Sequence, residues 1–277
     1  MPSYVGVDEE SRWGELRKRL RDHLGLIYPQ LDAEALIPRL LEAAGIQYGH
    51  TAKHDSLWSE QDVWLITYGD SIKKDGEVPL RTLGRFLERR LRGMVSGLHI
   101  LPFYPYSSDD GFAVIHYTQV NSSLGDWPDI EALCADWDVM FDCVMNHCSS
   151  RSGWFENFKR GADPGSRYFI ALDPDTDVSE VVRPRTSDLL QCVETLEGKR
   201  WVWCTFSPDQ VDLNYAEPDV LIEMLRIIGA YMDAGARSLR LDAVTFLWKA
   251  LGTRCVNLPQ THEIIRLLRT LVEYRDS

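Results

Sequence analysis

The sequence predicts an α/β chain that holds the first four strands of a (β/α)8 barrel, preceded by helices and interrupted by a small subdomain after the third strand. Three observations predict it. Four apolar, β-branched runs alternate with helical patterns, as parallel βα units do. Two of these runs, at Asp142-Cys-Val-Met-Asn146-His147 and Arg240-Leu-Asp242, break into charged and polar residues at their C-terminal ends, where such units deliver functional side chains. The count stops at four, although 277 residues exceed the roughly 250 that a whole barrel needs. Helices before the first strand and an insertion after the third account for the difference.

In chain order, residues 1–60 form the N-terminal helical segment. Leu16, Leu20 and Leu24, then Leu36, Leu40 and Leu41, recur at three- and four-residue spacings among charged residues, so two amphipathic helices are expected between Ser11 and Ala44, outside the main sheet. Tyr48 to Glu60, with His50, Thr51, His54, Asp55 and Ser56, keeps no period and is expected to be a loop with solvated histidines. Residues 61–147 hold strands one to three, at Val63 to Tyr68, Leu98 to Phe103 and Val139 to Met145. Helical patterns lie between them, at Leu80 to Leu91 and Asp129 to Ala135. Residues 148–216 form the insertion, with Trp201 to Thr205 as an extra strand. Residues 217–277 hold a helix at Asp219 to Met232, the fourth strand at Ser238 to Val244 and a closing helix at His262 to Tyr274.

Composition limits the function. With 44% hydrophobic residues the chain can bury a sizeable core, and a net charge of -12 disfavours nucleic acid or an anionic membrane as partner. The start lacks the basic-then-apolar layout of a secretory signal and no long apolar run occurs, so a cytoplasmic protein is expected. The six cysteines show no Cys-x-x-Cys spacing, which argues for reduced thiols and against a metal framework. Cys143 is expected to be a small buried hydrophobe.

Arg240 and Asp242 alternate with leucines and point the same way from a strand, about 6.6 to 7 Å apart along it. An arginine there favours an ionised carboxylate and fixes its orientation, which suits a nucleophile, although a buried salt bridge would have the same local pattern. His147 leaves the third strand where a barrel mouth would lie and can meet a sugar hydroxyl or serve structure alone. Asp142, inside that strand, is expected to be a supporting carboxylate. Pro102-Phe-Tyr-Pro-Tyr-Ser-Ser-Asp-Asp-Gly-Phe112 brings aromatic faces beside carboxylates, as a sugar pocket requires, or is a plain Asp-Gly turn.

Taken in order, these segments resemble the retaining α-glucosyl enzymes of glycoside hydrolase family 13, most closely the sucrose phosphorylase and glucosylglycerate phosphorylase group. The most specific stretches are His99 to Phe112, Thr205-Phe-Ser-Pro-Asp-Gln-Val-Asp-Leu-Asn214, and Arg240 to Lys249 followed by Leu258-Pro-Gln-Thr-His262. The resemblance implies that Asp242 is the nucleophile with Arg240 as its partner, and that Asp109 and His147 bind the glucosyl unit. It further implies that Phe112, Phe206, Gln210 and Phe246 line the pocket. The implied substrate is a small α-glucoside, with inorganic phosphate as co-substrate and neither cofactor nor metal. Such enzymes form a covalent β-glucosyl intermediate and transfer glucose to phosphate with retention.

That route needs a second carboxyl group, which the family carries on a glutamate at the end of a fifth strand. No fifth strand is found, and Glu263 and Glu273 lie on the closing helix, facing away from the mouth. The chain is therefore expected to be a C-terminally shortened member, inactive alone, prone to aggregate through two open sheet edges, or paired with a second copy or a complementing chain. A non-catalytic carbohydrate-binding or interaction protein is the alternative. His116 stands where the family usually has aspartate, either loosening the Asp109 loop or making a harmless surface change. Arg183-Pro-Arg185 is expected to be solvated, with an anion as the other option. Among acceptors, glycerate is favoured over fructose or fructose 6-phosphate.

Overall fold

A computed structural model describes residues 9–49 and 58–276. The loop histidines His50 and His54, with Thr51, Asp55 and Ser56, lie outside the described residues.

Two N-terminal helices form as their spacing requires. Helix α1 (Glu9–Ile27) buries Leu16, Leu20, Leu24 and Ile27 on one face, each worth roughly 1.5 to 3 kcal/mol when fully buried. Helix α2 (Ala33–Ala43) starts at Asp32, whose side chain accepts from the Glu34 N–H and satisfies an otherwise unpaired donor.

The central sheet has four parallel strands, β1 (Trp64–Thr67), β2 (Gly97–Ile100), β3 (Asp138–Val144) and β9 (Ala236–Asp242), in the order β1-β2-β3-β9. Each begins or ends within about two to three residues of its apolar run in the sequence. A Cβ on Gly97 would meet the Trp64 ring at 2.3 Å, so the β1–β2 pairing needs glycine there. Helices α3 (Pro79–Arg90) and α4 (Trp127–Asp136) connect the first three strands. Proline at the first turn of α3 and a reciprocal Asp126/Asp129 capping box on α4 fix where they start. Helix α6 (Pro218–Asp233) precedes β9, and α7 (Pro259–Asp276) follows it.

The N-terminal helices stay off the sheet and cover these later helices. Helix α1 lies along α7, joined by His23 Nδ1 to Glu263 Oε1 at 2.5 Å and Arg19 Nη2 to Thr270 Oγ1 at 2.8 Å, while α2 lies along α6. One continuous apolar core links α1, α2, the sheet and α3 to α7.

The insertion is more ordered than its mixed pattern indicates. It holds α5 (Gly153–Arg160) and a three-stranded antiparallel sheet of β5 (Ala171–Leu172), β7 (Gly198–Trp203) and β6 (Leu190–Thr195). The expected strand at Trp201 is the end of β7. A separate antiparallel ribbon pairs β4 (His147–Ser149) with β8 (Gln210–Asp212). That ribbon begins at His147, so the third barrel strand ends at Val144 and the insertion takes over directly.

Strands β1 and β9 each have one neighbour among the described residues. All four residues of β2 are buried, none of β9 is, and Ile66 on β1 is 63% exposed beside Val63 at 49%. Among the described residues the sheet therefore has two edge strands, β1 and β9. Among the described residues no helix is long and apolar enough to cross a membrane.

Candidate active site

The C-terminal ends of β2, β3 and β9 converge on one charged chain of contacts. Register places Asp142 beside Arg240 and Val144 beside Asp242. Arg240 donates from Nη1 to Asp142 Oδ1 at 2.5 Å, and its Nη2 lies 3.0 Å from Asp242 Oδ1. The fully buried Asp142 also meets His99 Nε2 at 2.7 Å, so it ties β2 to β9 and aims the guanidinium at Asp242. The supporting role expected for Asp142 is its observed position. Arg240 further lies over the Phe112 ring, 5.3 Å from its centroid.

Opposing influences act on the Asp242 carboxyl. Burial raises its pKa above the ordinary carboxylate value; His147 and Arg240 pull it down, Asp142 adds to the rise, and burial prevails. Arg240 thus orients the carboxylate and favours its ionised form, with burial acting against it. Ala243, the next residue, has φ +55°, a conformation that non-glycine residues seldom adopt and one that turns the chain sharply behind Asp242.

The second group surrounds His147. Its Nε2 lies 3.0 Å from the Phe112 carbonyl, and its Nδ1 lies 3.4 Å from Asn146 Nδ2. Nε2–H therefore donates to the carbonyl while Nδ1 accepts, which is the neutral ring. Burial lowers the pKa of His147 and favours the same form. Gln210 Nε2 donates to Asp109 Oδ2 at 2.9 Å and lies 3.1 Å from His147 Nε2, a contact without a hydrogen bond while that nitrogen donates to Phe112. Phe206 packs on the His147 ring at 5.0 Å and edge-on to Phe246 at 5.4 Å.

The structure thus joins all eight predicted residues through one set of contacts: Asp242 to Arg240 to Phe112, Phe112 to His147, His147 to Gln210 and Phe206, then Asp109 and Phe246. It presents one carboxylate held by an arginine, a polar cluster suited to hydroxyl groups, and aromatic faces beside them, the elements from which a sugar pocket is built.

Residues 92–276 match the alpha amylase catalytic domain family. The chain belongs to the α-amylase family. This α-amylase family chain is 46% identical over 260 residues to a glucosylglycerate phosphorylase of Allomeiothermus silvanus, covering 94% of the chain and 46% of that relative. It is 31% identical over 221 residues to a sucrose phosphorylase of Agrobacterium vitis, covering 76% of the chain and 45% of the relative. Among solved structures, a sucrose 6F-phosphate phosphorylase from Thermoanaerobacter thermosaccharolyticum superposes with a TM-score of 0.71 at 29% identity, over 79% of this chain and 47% of that one. The α-amylase family chain therefore spans about half the length of the curated relatives it matches.

Below the His147 cluster lies a buried network that sequence reasoning missed. Asp212 accepts from the Thr205 N–H at 2.8 Å, Thr205 Oγ1 at 2.6 Å and Asn146 Nδ2 at 2.9 Å, and pairs with Lys249 Nζ at 2.9 Å. Lys249 also donates to Asn146 Oδ1 at 2.7 Å. Asp212 stands opposite His147 in the β4–β8 ribbon, so this ion pair sets the floor on which His147 and Gln210 rest. The only sequence signal was that Asp212 and Lys249 both belong to the specific stretches of the resemblance.

The remaining predicted residues sit elsewhere. Glu263 pairs with His23 and Arg266, and Glu273 with Arg269, on the side of α7 turned to α1 and solvent. His116 is exposed. Arg183 donates to the Ser187 carbonyl, and the Ser187 hydroxyl donates to the Phe206 carbonyl at 3.4 Å, which places the start of the Arg183-Pro-Arg185 segment beside the cluster. Among the described residues no group of three or more His, Cys, Asp or Glu side chains has the arrangement of a metal site.

Proposed function

We propose that these residues form the nucleophile half of a retaining α-glucosyl phosphorylase. The observation that carries this is the Asp242 carboxylate, held by Arg240 at the end of β9 beside the Asp109, His147 and Gln210 cluster. An α-glucoside bound there sets its anomeric carbon against Asp242. Attack forms the Asp242–C1 ester and breaks the C1–O bond to the leaving group; phosphate then displaces Asp242 and yields α-glucose 1-phosphate. Asp109, Gln210 and His147 bind the glucose hydroxyls, while Phe112, Phe206 and Phe246 meet its apolar face.

The raised pKa of Asp242 fits a nucleophile that loses its charge in the first step. Both the leaving oxygen and the incoming group need a proton donor and acceptor, a role these 277 residues leave to a second carboxyl group. Glucosylglycerate is the favoured substrate, supported by the higher identity to the glucosylglycerate phosphorylase than to the sucrose phosphorylase.

The test is phosphorolysis of glucosylglycerate by the 277-residue chain, alone and mixed with a separately produced C-terminal half of the Allomeiothermus relative. Alone, the chain is expected to release no glucose 1-phosphate above background, since loss of the general acid alone costs about 10² to 10⁴-fold. The mixture is expected to release it. Turnover by the chain alone, or none from a mixture that forms a folded complex, contradicts the proposal.

A further inference from the structure

One carboxylate next to the glucosyl cluster has no part in the chemistry above. Asp209 Oδ2 accepts from the Ser107 hydroxyl and from Ser108 Oγ at 2.5 Å, while Oδ1 accepts from Ser150 Oγ at 2.6 Å and lies 3.5 Å from Ser149 Oγ. Ser107 Oγ and Ser149 Oγ lie 2.5 Å apart. A hydroxyl has one proton to give, so Ser107, Ser108 and Ser150 donate to the carboxylate directly, while Ser149 donates to Ser107 Oγ and joins the cluster through it. Burial pushes the Asp209 carboxyl up, yet these donors outweigh it and hold it below the usual carboxylate range.

The four serines come from two distant segments, one leaving β2 and the other following β3, and Asp209 itself precedes Gln210 of β8. A single anion thus fastens three pieces of chain. Its reach matters because Asp109 and Asp110 have φ +56° and +49°, two consecutive non-glycine residues in the left-handed region. Such a conformation persists only where its surroundings over-determine it. Ser108 directly precedes Asp109, and Gln210, which donates to Asp109, directly follows Asp209.

We propose that Asp209 is a positioning residue whose carboxylate gathers Ser107, Ser108, Ser149 and Ser150 and thereby holds the strained Asp109 turn in the conformation that presents Asp109 to a glucosyl unit. The glucoside part of this statement rests on the proposed function; the clamping of the turn does not.

The test compares the 277-residue chain with its Asp209→Ala and Ser108→Ala variants, the second removing one hydroxyl and leaving the carboxylate. Hydrogen exchange is read at the amides of Ser107, Phe112 and Ala113, which close this turn by bonding Ala113, Asp109 and Ser108 carbonyls. In Asp209→Ala they are expected to exchange at least about tenfold faster, with α6 and α7 unchanged; in Ser108→Ala the change has the same direction and is smaller. Titration with D-glucose is expected to show an affinity lowered by a similar factor in Asp209→Ala. Exchange within about twofold of the parent in both variants, or acceleration spread equally into α6 and α7, overturns the proposal. If the parent chain fails to bind glucose, the proposed function is what fails, and the exchange result still decides the role of Asp209.

Discussion

Replacing Lys249 by methionine removes one ammonium from the floor of the site and keeps its stem. Lys249 is 5% exposed at the side chain and Asp212 not at all, with 2.9 Å between the charges, so solvent screens little of the pair. Deleting one partner of a buried pair costs about 3 to 5 kcal/mol because the other charge stays buried. Asp212 would keep the Thr205 N–H, Thr205 hydroxyl and Asn146 amide, which places the expected loss near the lower end, about 3 kcal/mol. Trp203, whose Nε1 donates to Thr205 Oγ1 at 3.1 Å, is a fluorescent reporter within the network. Urea unfolding followed by tryptophan emission gives the value. The Asp212→Asn, Lys249→Met double variant should recover at least half of the loss, since a neutral pair needs no buried counter-charge. A cost under about 1 kcal/mol for Lys249→Met, or a double variant as weak as the sum of both singles, refutes the view that this ion pair supports the site.

Other outcomes follow from the same geometry. Because burial raises the folded pKa of Asp242, its ionisation opposes folding: the favourable protonated contribution is complete below the unfolded value of 3.8 and is lost as pH rises through the folded value. Asp242→Asn should therefore be more stable than the parent at pH 7, with the gap closing as pH falls toward 3.8, and urea midpoints across that range check it. A parent that is the more stable at neutral pH would reverse the sign. At the open β1 edge, Ile66→Lys combined with Val63→Lys should reduce concentration-dependent association seen by light scattering; no change would place self-association elsewhere. Glu263→Gln should weaken docking of α1 on α7 and lower the urea midpoint, with glucose affinity unchanged, because Glu263 faces His23 and not the cluster.

Local patterns made the barrel strands and their flanking helices legible: apolar runs mark the strands, and leucines or isoleucines recur along α1, α2, α3, α6 and α7. The pairing of Arg240 with Asp242 followed from alternation along a single strand. The insertion was not legible in detail, because β4 and β8 lie some sixty residues apart and are each three residues long, too short for a period to show. The Asp212–Lys249 pair and the serine cluster around Asp209 are products of that same long-range pairing. Left-handed backbone at Asp109, Asp110 and Ala243 carries no glycine to announce it. Arg240 favours ionisation of Asp242 as its spacing indicated, but the opposing desolvation depends on how closely β3 and β9 pack, which no spacing reveals.

An activated substrate tests most directly whether Asp242 is the nucleophile. 5-Fluoro-α-D-glucosyl fluoride carries a leaving group that departs without protonation, so glucosylation should proceed without the second carboxyl group: the C1–F bond breaks, the Asp242–C1 ester forms and fluoride leaves. Intact mass and peptide mapping of the treated 277-residue chain should show one glucosyl adduct at Asp242, absent in Asp242→Asn. A folded chain that takes no adduct, or an adduct that persists in Asp242→Asn, would contradict the assignment.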